Sequence, residues 1–268
     1  TSIRFVGEEY WTVDAKLASG RKSFIAKLYG DKNGKIDLIP DNASADAILN
    51  NLENAEYKVT DIKKGKRNKQ PAPPFITSTL QQEASRKLGF TGQRTMRIAQ
   101  QLYEGIELAG IGVTGLITYM RTDSLRISDE ARKLGNEYVL QNYGDKYLPE
   151  KARFYKQAAG SQDAHEAIRP ANPLITPDQV KDSVTTDQYK LYKLIWERFI
   201  ASLMAACIQN TVNAEITAGD YLFKASGYSV KFDGYTVLYE EGKDEECEDN
   251  CAIPENMQEN VVLLENLP

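Results

Sequence analysis

The residues best suited to chemistry lie in one segment near the middle of the chain, Gly-Leu-Ile-Thr-Tyr-Met-Arg-Thr-Asp-Ser at positions 115–124. It places a tyrosine (Tyr119), a cation (Arg121) and a carboxylate (Asp123) at alternate positions, with hydroxyls at Thr118, Thr122 and Ser124. A tyrosine hydroxyl ordinarily loses its proton only near pH 10 and is a weak nucleophile at neutral pH. Neighbouring cations favour the phenolate and neutralise an attacked phosphate. The segment therefore predicts phosphoryl transfer, although the chain has 15 tyrosines and most tyrosines are packing residues.

A second segment, Ser-Gln-Asp-Ala-His-Glu-Ala-Ile-Arg-Pro at 161–170, contains the only histidine of the chain. His165 can exchange protons near neutral pH, and it has a carboxylate on each side. Arg169 can clamp a phosphate through two parallel hydrogen bonds. The spacing alone leaves open a structural histidine with hydrogen-bonded neighbours.

Other chemistries have little support in the sequence. The phosphate-binding pattern Gly-x4-Gly-Lys-Ser/Thr is absent, which argues against an ATP site of that type. Neither a Gly-x-Ser-x-Gly elbow nor a His/Cys cluster is present. Cys247 and Cys251 are three residues apart but have no second pair to complete a metal site, so we interpret them as solvated thiols in an acidic loop.

The composition, with 268 residues and 41% apolar residues, predicts one or two globular domains. No apolar run is long enough to predict a membrane span, and three cysteines are typical of a reducing cytosol. The chain does not begin with Met, so we expect it to be a piece of a longer protein.

The net charge of −5 conceals an uneven distribution. Residues 207–268 carry 3 basic and 13 acidic side chains, concentrated in the run 240–249, which is typical of a solvated loop. The opposite run, Lys63 to Lys69, has five basic residues out of seven. It is interpreted equally well as a contact to a nucleic-acid backbone or as a flexible basic linker.

The elements that must position these residues change type twice along the chain. Alternation of apolar and polar residues at 9–17, 22–30, 35–39 and 57–62 predicts strands. The Asn33-Gly34 pair predicts a turn, and residues 44–54 are predicted to form a short amphipathic helix. Residues 210–239 alternate again. The expected fold class is α+β, with a β-rich domain (1–72 and 207–268) into which a helical domain (73–206) is inserted.

Inside the helical part, periodicity predicts helices over 77–87, 91–108 (apolar face Met96, Ile98, Ala99, Leu102 and Tyr103), 128–143 and 186–206. Residues 105–115 are expected to form a glycine-rich loop, and Leu116, Ile117 and Thr118 a short buried strand that presents Tyr119 at its end. Residues 144–175 are expected to be irregular.

Together these motifs resemble the type IA DNA topoisomerases, in particular the bacterial topoisomerase I group. Segments 115–124 and 161–170 are similar to two family signatures, and Pro-Pro-Phe-Ile-Thr-Ser-Thr-Leu-Gln-Gln-Glu-Ala-Ser-Arg-Lys-Leu-Gly-Phe at 73–90 is similar to a third. Met120 favours topoisomerase I, since the related topoisomerase III enzymes tend to have proline there.

The resemblance implies a role for each matching residue. Tyr119 would attack a phosphodiester and hold the 5′-phosphate, Arg121 would stabilise the pentacoordinate phosphate, and His165 would assist proton transfer. Supporting roles near the site fall to Asp123, Arg169, Thr122, Gln100 and Glu104. Resealing reverses the attack, so no ATP is needed.

The resemblance also implies an architecture and partners. The β-rich domain would be the arch of a toroid, and the helical, winged-helix-like domain would bear the tyrosine. The Toprim domain, which binds Mg²⁺, and most of the gate domain would belong to the same protein but lie outside this chain, so no metal is expected here and the chain alone should be inactive. The substrate would be a single-stranded segment of negatively supercoiled DNA, in the bacterial cytoplasm at the nucleoid, with no membrane partner.

Three alternatives stay open at this point. One is a topoisomerase III-like decatenase. A second is another tyrosine enzyme, such as a relaxase or recombinase, although these require a histidine cluster or several Arg and His around the tyrosine. The third is a non-catalytic module that binds DNA or a protein partner.

Overall fold

The structure is a computed structural model of the 268-residue chain. It describes residues 10–19, 22–155 and 165–242, together with Ile253, Met257 and the backbone of 262–265. No helix within these ranges is both long enough and apolar enough to cross a membrane.

Helices and antiparallel strands are both present, which makes the fold α+β as expected. The strands are β1 (Asp14–Ser19), β2 (Lys22–Asp31), β3 (Gly34–Lys35), β4 (Tyr57–Lys69), β5 (Ile106–Leu108), β6 (Gly112–Thr114), β7 (Cys207–Ala218), β8 (Tyr221–Phe232) and β9 (Val262–Glu265). The α-helices are α1 (Asn42–Leu52), α2 (Thr77–Leu88), α3 (Gly92–Glu104), α4 (Asp129–Tyr143), α5 (Pro177–Val180) and α6 (Thr186–Leu203).

The chain divides into two compact units. The first unit comprises Thr1–Arg67, Gln209–Lys231 and Cys247–Pro268, and the second comprises Asn68–Ile208 and Phe232–Glu246. The predicted domain limits, 72/73 and 206/207, stay a prediction.

A seven-stranded sheet forms the first unit, in the order β1-β9-β4-β7-β8-β2-β3. Because β1 pairs with β2 as well as with β9, the sheet closes on itself. Alternate residues of the strands point inward and are fully buried, among them Leu17, Phe24, Val59, Ile216 and Phe223.

Helix α1 begins two residues before the predicted start at Ser44, because Asp41 caps it. The Asp41 carboxylate accepts a hydrogen bond from the backbone N–H of Ser44 at 2.7 Å, which lowers the pKa of Asp41. The Asn-Gly turn holds as predicted, with Asp31 paired to Gly34, but strand β3 spans only two residues.

The basic run 63–69 is the last part of strand β4, which continues well beyond the predicted end at Ile62. The interpretation as a flexible linker is therefore wrong, because the run lies inside a strand that neighbours β7 in the sheet.

Helices α2, α3, α4 and α6 pack around one apolar core in the second unit. Helix α4 starts after Ser128, whose hydroxyl accepts from the N–H of Ala131, and it ends at Tyr143 as predicted. Gly135 allows α4 to approach α6 closely, because a Cβ there would lie 2.3 Å from Leu203 Cδ1.

Three predicted elements of this unit differ from the structure. Helix α3 ends at Glu104, because Gly105 has φ +124°, and the predicted last turn and loop are the hairpin β5–β6. The stretch 116–118 makes only an isolated bridge, from Ile117 to Pro170. Tyr103, predicted in the apolar face of α3, is 41% exposed.

At the carboxyl-terminal end of the helical segment, α6 stops at Leu203, three residues before the predicted end. The second predicted β region ends at Phe232, and a 3₁₀ turn at Gly234–Val237 follows it.

Candidate active site

Main-chain hydrogen bonds join the three motifs that are far apart in sequence. Thr118 N–H donates to the carbonyl of Arg169 at 2.9 Å, and Ile168 N–H donates to the carbonyl of Phe75 at 2.8 Å. The N–H of Thr77 donates to the carbonyl of Thr122 at 3.0 Å. The structure therefore brings segments 73–90, 115–124 and 165–170 into one site, while Ser161–Ala164 of the second motif lie outside the described residues.

The hydroxyl of Thr77 fixes the backbone on both sides of Arg121. It donates to the carbonyl of Met120 at 2.8 Å and accepts from the N–H of Thr122 at 2.9 Å. Met120 is fully buried and Thr122 is 8% exposed, so water does not readily replace these bonds. Thr77 therefore holds the peptide units that orient Arg121.

Tyr119 projects from this buried frame. Its side chain is 41% exposed, although Ile117 and Met120 on either side are buried. The ring meets His165 edge to face, with centroids 6.1 Å apart and planes at 88°. The predicted nucleophile and the predicted proton carrier are thus in contact.

Tyr103 is a second aromatic neighbour of Tyr119, which the sequence did not identify. The two ring centroids are 5.4 Å apart, with planes at 63°. The carbonyl of Tyr103 also faces Gly115, where a Cβ would lie only 2.8 Å from it. The sequence gives one sign that position 103 faces outward: the polar residues Gln100 and Glu104 lie near it on α3.

A cleft of about 550 Å³ lies beside the tyrosine loop. Its lining consists of Ile76, Thr77, Ser78, Gln81, Arg121, Thr122, Asp123 and His165. Arg121 is exposed and forms no ion pair with any residue that the structure describes. The Arg121 guanidinium therefore faces the same cavity as the Thr77 hydroxyl and the His165 imidazole, together with one carboxylate, Asp123. The guanidinium and the hydroxyl are donors that suit a phosphate.

Two predicted supporting residues point inward. Arg169 is 7% exposed and donates to Glu166 Oε2 at 2.6 Å, to the carbonyl of Pro170 at 2.8 Å and to the hydroxyl of Ser128 at 3.3 Å. These contacts use both terminal nitrogens, so in this arrangement Arg169 braces the second motif and does not present a free fork to a phosphate. The Thr122 hydroxyl likewise accepts from the N–H of Ser124.

Of the remaining predicted residues, Asp123 and Glu104 are exposed and Gln100 is half-buried. Asp123 lines the cleft. On α3, Gln100 Nε2 donates to Glu104 Oε1 at 2.6 Å, and neither side chain is part of the cleft lining.

Within the described ranges no three His, Cys, Asp or Glu side chains are grouped so that they could hold a metal ion. Cys247 and Cys251 lie outside the described residues, and Cys207 is buried.

Nearly the whole chain is similar to proteins of one family. Residues 2–267 match the protein family described as DNA topoisomerase. The fold is similar to full-length topoisomerase I from Thermotoga maritima, with a TM-score of 0.73 and 33% sequence identity. That match covers 97% of this chain but only 39% of the Thermotoga protein. The chain therefore belongs to the DNA topoisomerase family, among the bacterial type IA enzymes.

Proposed function

We propose that this chain is the tyrosine-bearing part of an enzyme that breaks and reseals one strand of DNA, with Tyr119 as the nucleophile. The observation that carries the proposal is the exposed Tyr119 ring in contact with His165, next to a cleft that also contains Arg121. The family match to DNA topoisomerases supports DNA as the substrate.

The proposed reaction is a transesterification. The Tyr119 Oη attacks a backbone phosphorus, a bond forms between Oη and phosphorus, and the bond from phosphorus to the 3′-oxygen breaks. The 5′-phosphate stays on the enzyme. Resealing is attack by the 3′-hydroxyl on the same phosphorus, so the bond energy is conserved and ATP is not consumed.

Arg121 stabilises the extra negative charge of the pentacoordinate phosphate. Its guanidinium is always charged and can donate two parallel hydrogen bonds to phosphate oxygens. Since the Thr77 bonds fix the backbone at residues 120 and 122, the cation is positioned before the substrate arrives.

His165 handles the proton. Attack releases the proton of the Tyr119 hydroxyl, and departure of the 3′-oxygen requires one. The edge contact between the imidazole and the Tyr119 ring supports this role, in which His165 accepts a proton at one stage and returns it at the other. Mg²⁺, which the family resemblance implies, would be bound by residues outside this chain, and no step above passes through it.

The proposed physiological outcome is strand passage that relaxes negative supercoils in the bacterial nucleoid. Met120 favours this activity over the decatenation expected of a topoisomerase III. Because the chain spans 39% of the Thermotoga enzyme, the activity belongs to the complete gene product. We expect the 268-residue chain alone to leave supercoiled plasmid unrelaxed in the presence of Mg²⁺.

The test uses the complete gene product and a single-stranded oligonucleotide labelled at either end. After denaturation with detergent, only the 3′-labelled strand should stay attached to the protein, because the tyrosine holds the 5′-phosphate of the downstream piece. Tyr119→Phe should abolish the adduct, whereas Tyr103→Phe, its matched aromatic control, should retain it. Adduct formation by Tyr119→Phe would refute the assignment of the nucleophile, and retention of the 5′ label would refute the polarity.

A further inference from the structure

One buried cation of the second unit takes no part in the reaction proposed above. Arg198 is 4% exposed and lies on α6 among buried apolar residues such as Ile195 and Phe199. Burial of a charge is costly unless partners compensate for it. Replacement of a buried ion pair by apolar residues is often neutral or stabilising, so stability alone does not explain an arginine at this position.

Arg198 holds the segment that leads into Thr77. Its Nε donates to the carbonyl of Pro73 at 2.6 Å, and its guanidinium lies 4.7 Å from the ring centroid of Phe75. Because Pro73 and Pro74 have no N–H, hydrogen bonds can hold this stretch of backbone only through its carbonyls. Thr77 follows two residues after Phe75, so its position depends on this attachment.

From this segment the contacts continue to the tyrosine loop. The carbonyl of Phe75 accepts from the N–H of Ile168 at 2.8 Å. The hydroxyl of Thr77 bonds the backbone on both sides of Arg121. A displacement of the segment would therefore disturb both the second motif and the loop that carries the proposed nucleophile.

The guanidinium of Arg198 is itself held by residues 239–242, which we call the strap. Its Nη1 donates to Tyr239 Oη and to Glu241 Oε1, both at 3.1 Å. Tyr239 is 3% exposed, so water does not readily replace the first of these bonds. The strap thus supplies the carboxylate and the hydroxyl that compensate for the buried charge.

The strap is also fastened to α2. Glu83, which is 3% exposed, accepts from the Tyr239 hydroxyl at 3.1 Å and from the N–H of Gly242 at 2.6 Å. Lys87, one turn further along α2, places its Nζ 4.0 Å from the centroid of the Tyr239 ring. Tyr239 therefore bridges a buried carboxylate on α2 and the buried cation on α6.

We propose that Arg198 is a positioning residue for DNA strand breakage and that the strap keeps it in place. Arg198 is not part of the cleft lining. It acts through Pro73 and Thr77 on the backbone that orients Arg121, and all of these residues belong to the second unit. The reaction rests on the proposed function, whereas the coupling between the strap and the tyrosine loop rests on the contacts themselves.

The first test is Arg198→Lys in the complete gene product. Lysine keeps the charge but lacks the planar fork that contacts Pro73, Tyr239 and Glu241 at once. Loss of one hydrogen bond to a charged group shifts an equilibrium by about 10–100-fold. We expect adduct formation at saturating oligonucleotide to slow by about 10-fold or more, with an unchanged Kd, because Arg121 is displaced and no DNA contact is removed.

A milder variant removes only the bridging hydroxyl of the strap. Tyr239→Phe keeps the ring and should slow adduct formation by about 5-fold, the effect of one neutral hydrogen bond. Tyr235→Phe is the matched control, because Tyr235 is 4% exposed in the preceding 3₁₀ turn and its hydroxyl forms no hydrogen bond within the described ranges. This control should react at the wild-type rate.

A double-mutant cycle with Thr77→Val separates positioning from general stability. If Arg198 acts through Thr77, Arg198→Lys should slow the Thr77→Val enzyme much less than the wild type, because the loop is already released. Losses that multiply would overturn the proposal, since Arg198 would then act independently of the tyrosine loop. Urea unfolding verifies that each variant is folded, and Tyr239→Phe takes the place of Arg198→Lys in the cycle if the latter does not fold.

Hydrogen exchange without DNA measures the coupling independently of the reaction. The N–H of Thr122, which donates to the Thr77 hydroxyl, and the N–H of Ile168 should exchange about 5-fold faster in Tyr239→Phe than in the wild type. The N–H of Leu116 is bonded to α3 instead and should exchange at the wild-type rate. Unchanged exchange at all three positions would overturn the coupling.

Failure of this inference is distinguishable from failure of the proposed function. If the wild type forms the Tyr119 adduct and both variants match the Tyr235→Phe control in rate and exchange, the positioning role is wrong and the strand-breaking function stands. If exchange at Thr122 increases in Tyr239→Phe but the wild type forms no adduct, the coupling stands and the function is wrong.

Discussion

Replacing Thr77 by Val should disable the tyrosine loop without touching any residue proposed to act on DNA. Valine has nearly the same shape as threonine but lacks the hydroxyl that bonds Met120 and Thr122. The carbonyl of Met120 and the N–H of Thr122 would then lack a partner in a buried position.

The magnitude follows from the two lost bonds. An unpaired buried polar group costs about 1–3 kcal/mol, so two such groups should lower the free energy of unfolding by about 2–6 kcal/mol. The loop can avoid part of this cost by moving away from α2, which displaces Arg121. If about 2 kcal/mol favours the displaced arrangement, the competent fraction falls by up to about 30-fold.

The assay is the rate of oligonucleotide adduct formation by the complete gene product, together with urea unfolding of the same variant. Thr79→Val is the matched control on the same helix turn, because its hydroxyl bonds, within the part of the chain that the structure describes, only to the N–H and carbonyl of Ile76. We expect this control to lose about 1 kcal/mol of stability and to keep the wild-type adduct rate. A Thr77→Val enzyme that is folded and as fast as the wild type would refute the role of these bonds in positioning Arg121.

Three further predictions follow from the site and its surroundings. Arg121→Ala should slow adduct formation by about 100-fold or more at every pH, and Arg121→Lys should restore part of the rate. His165→Ala should slow the reaction and also flatten the pH–rate profile. If the His165→Ala enzyme keeps the wild-type profile, His165 is structural. Tyr103→Ala should slow the reaction by about 2–10-fold, which corresponds to the interaction energy of one aromatic pair. Tyr103→Phe keeps the ring against Tyr119 and should react at the wild-type rate. Equal rates for the two variants would show that Tyr103 does not contribute to the site. Burial raises the pKa of Tyr155 to about 12, so the stability it contributes is complete below pH 10 and lost as pH rises from 10 to 12. Denaturant unfolding across that range should show an alkaline loss that is about 2–3 kcal/mol smaller in Tyr155→Phe than in the wild type. Part of the loss should stay in this variant, because burial raises the pKa of Tyr235 to about 12 as well. Equal losses in the two proteins would refute the assignment.

The local parts of the fold were predictable from the sequence because their signals are local. Ser128 begins α4 and the Asn33-Gly34 pair makes the turn, since caps and tight turns depend on a few adjacent residues. Tyr119 and Arg121 also stand out because the residues that carry the chemistry are adjacent. The contact between Tyr119 and His165 required the resemblance, because periodicity says nothing about residues 46 positions apart.

The rest depended on tertiary context. The basic run of β4 has the composition of a linker, and only its neighbouring strands make it a strand. Arg169 looks like a phosphate ligand by type, yet it is buried against Glu166 and Ser128. Tyr103 fits an apolar face by type but lies on the outer side of α3, because Leu102 takes the core position.

The chain enters and leaves the hairpin β5–β6 at nearly the same place, the carboxyl-terminal end of α3. It departs after Glu104, and the N–H of Leu116 donates to the carbonyl of Leu102 at 2.8 Å, so the chain is fastened to α3 again before it reaches Tyr119. The outer residues Ile111 and Val113 are 65% and 72% exposed. The position of Tyr119 therefore does not depend on the length of the hairpin. Residues can be inserted into or deleted from the hairpin over evolution, or replaced by a reporter sequence in the laboratory, while the tyrosine stays in register with its partners.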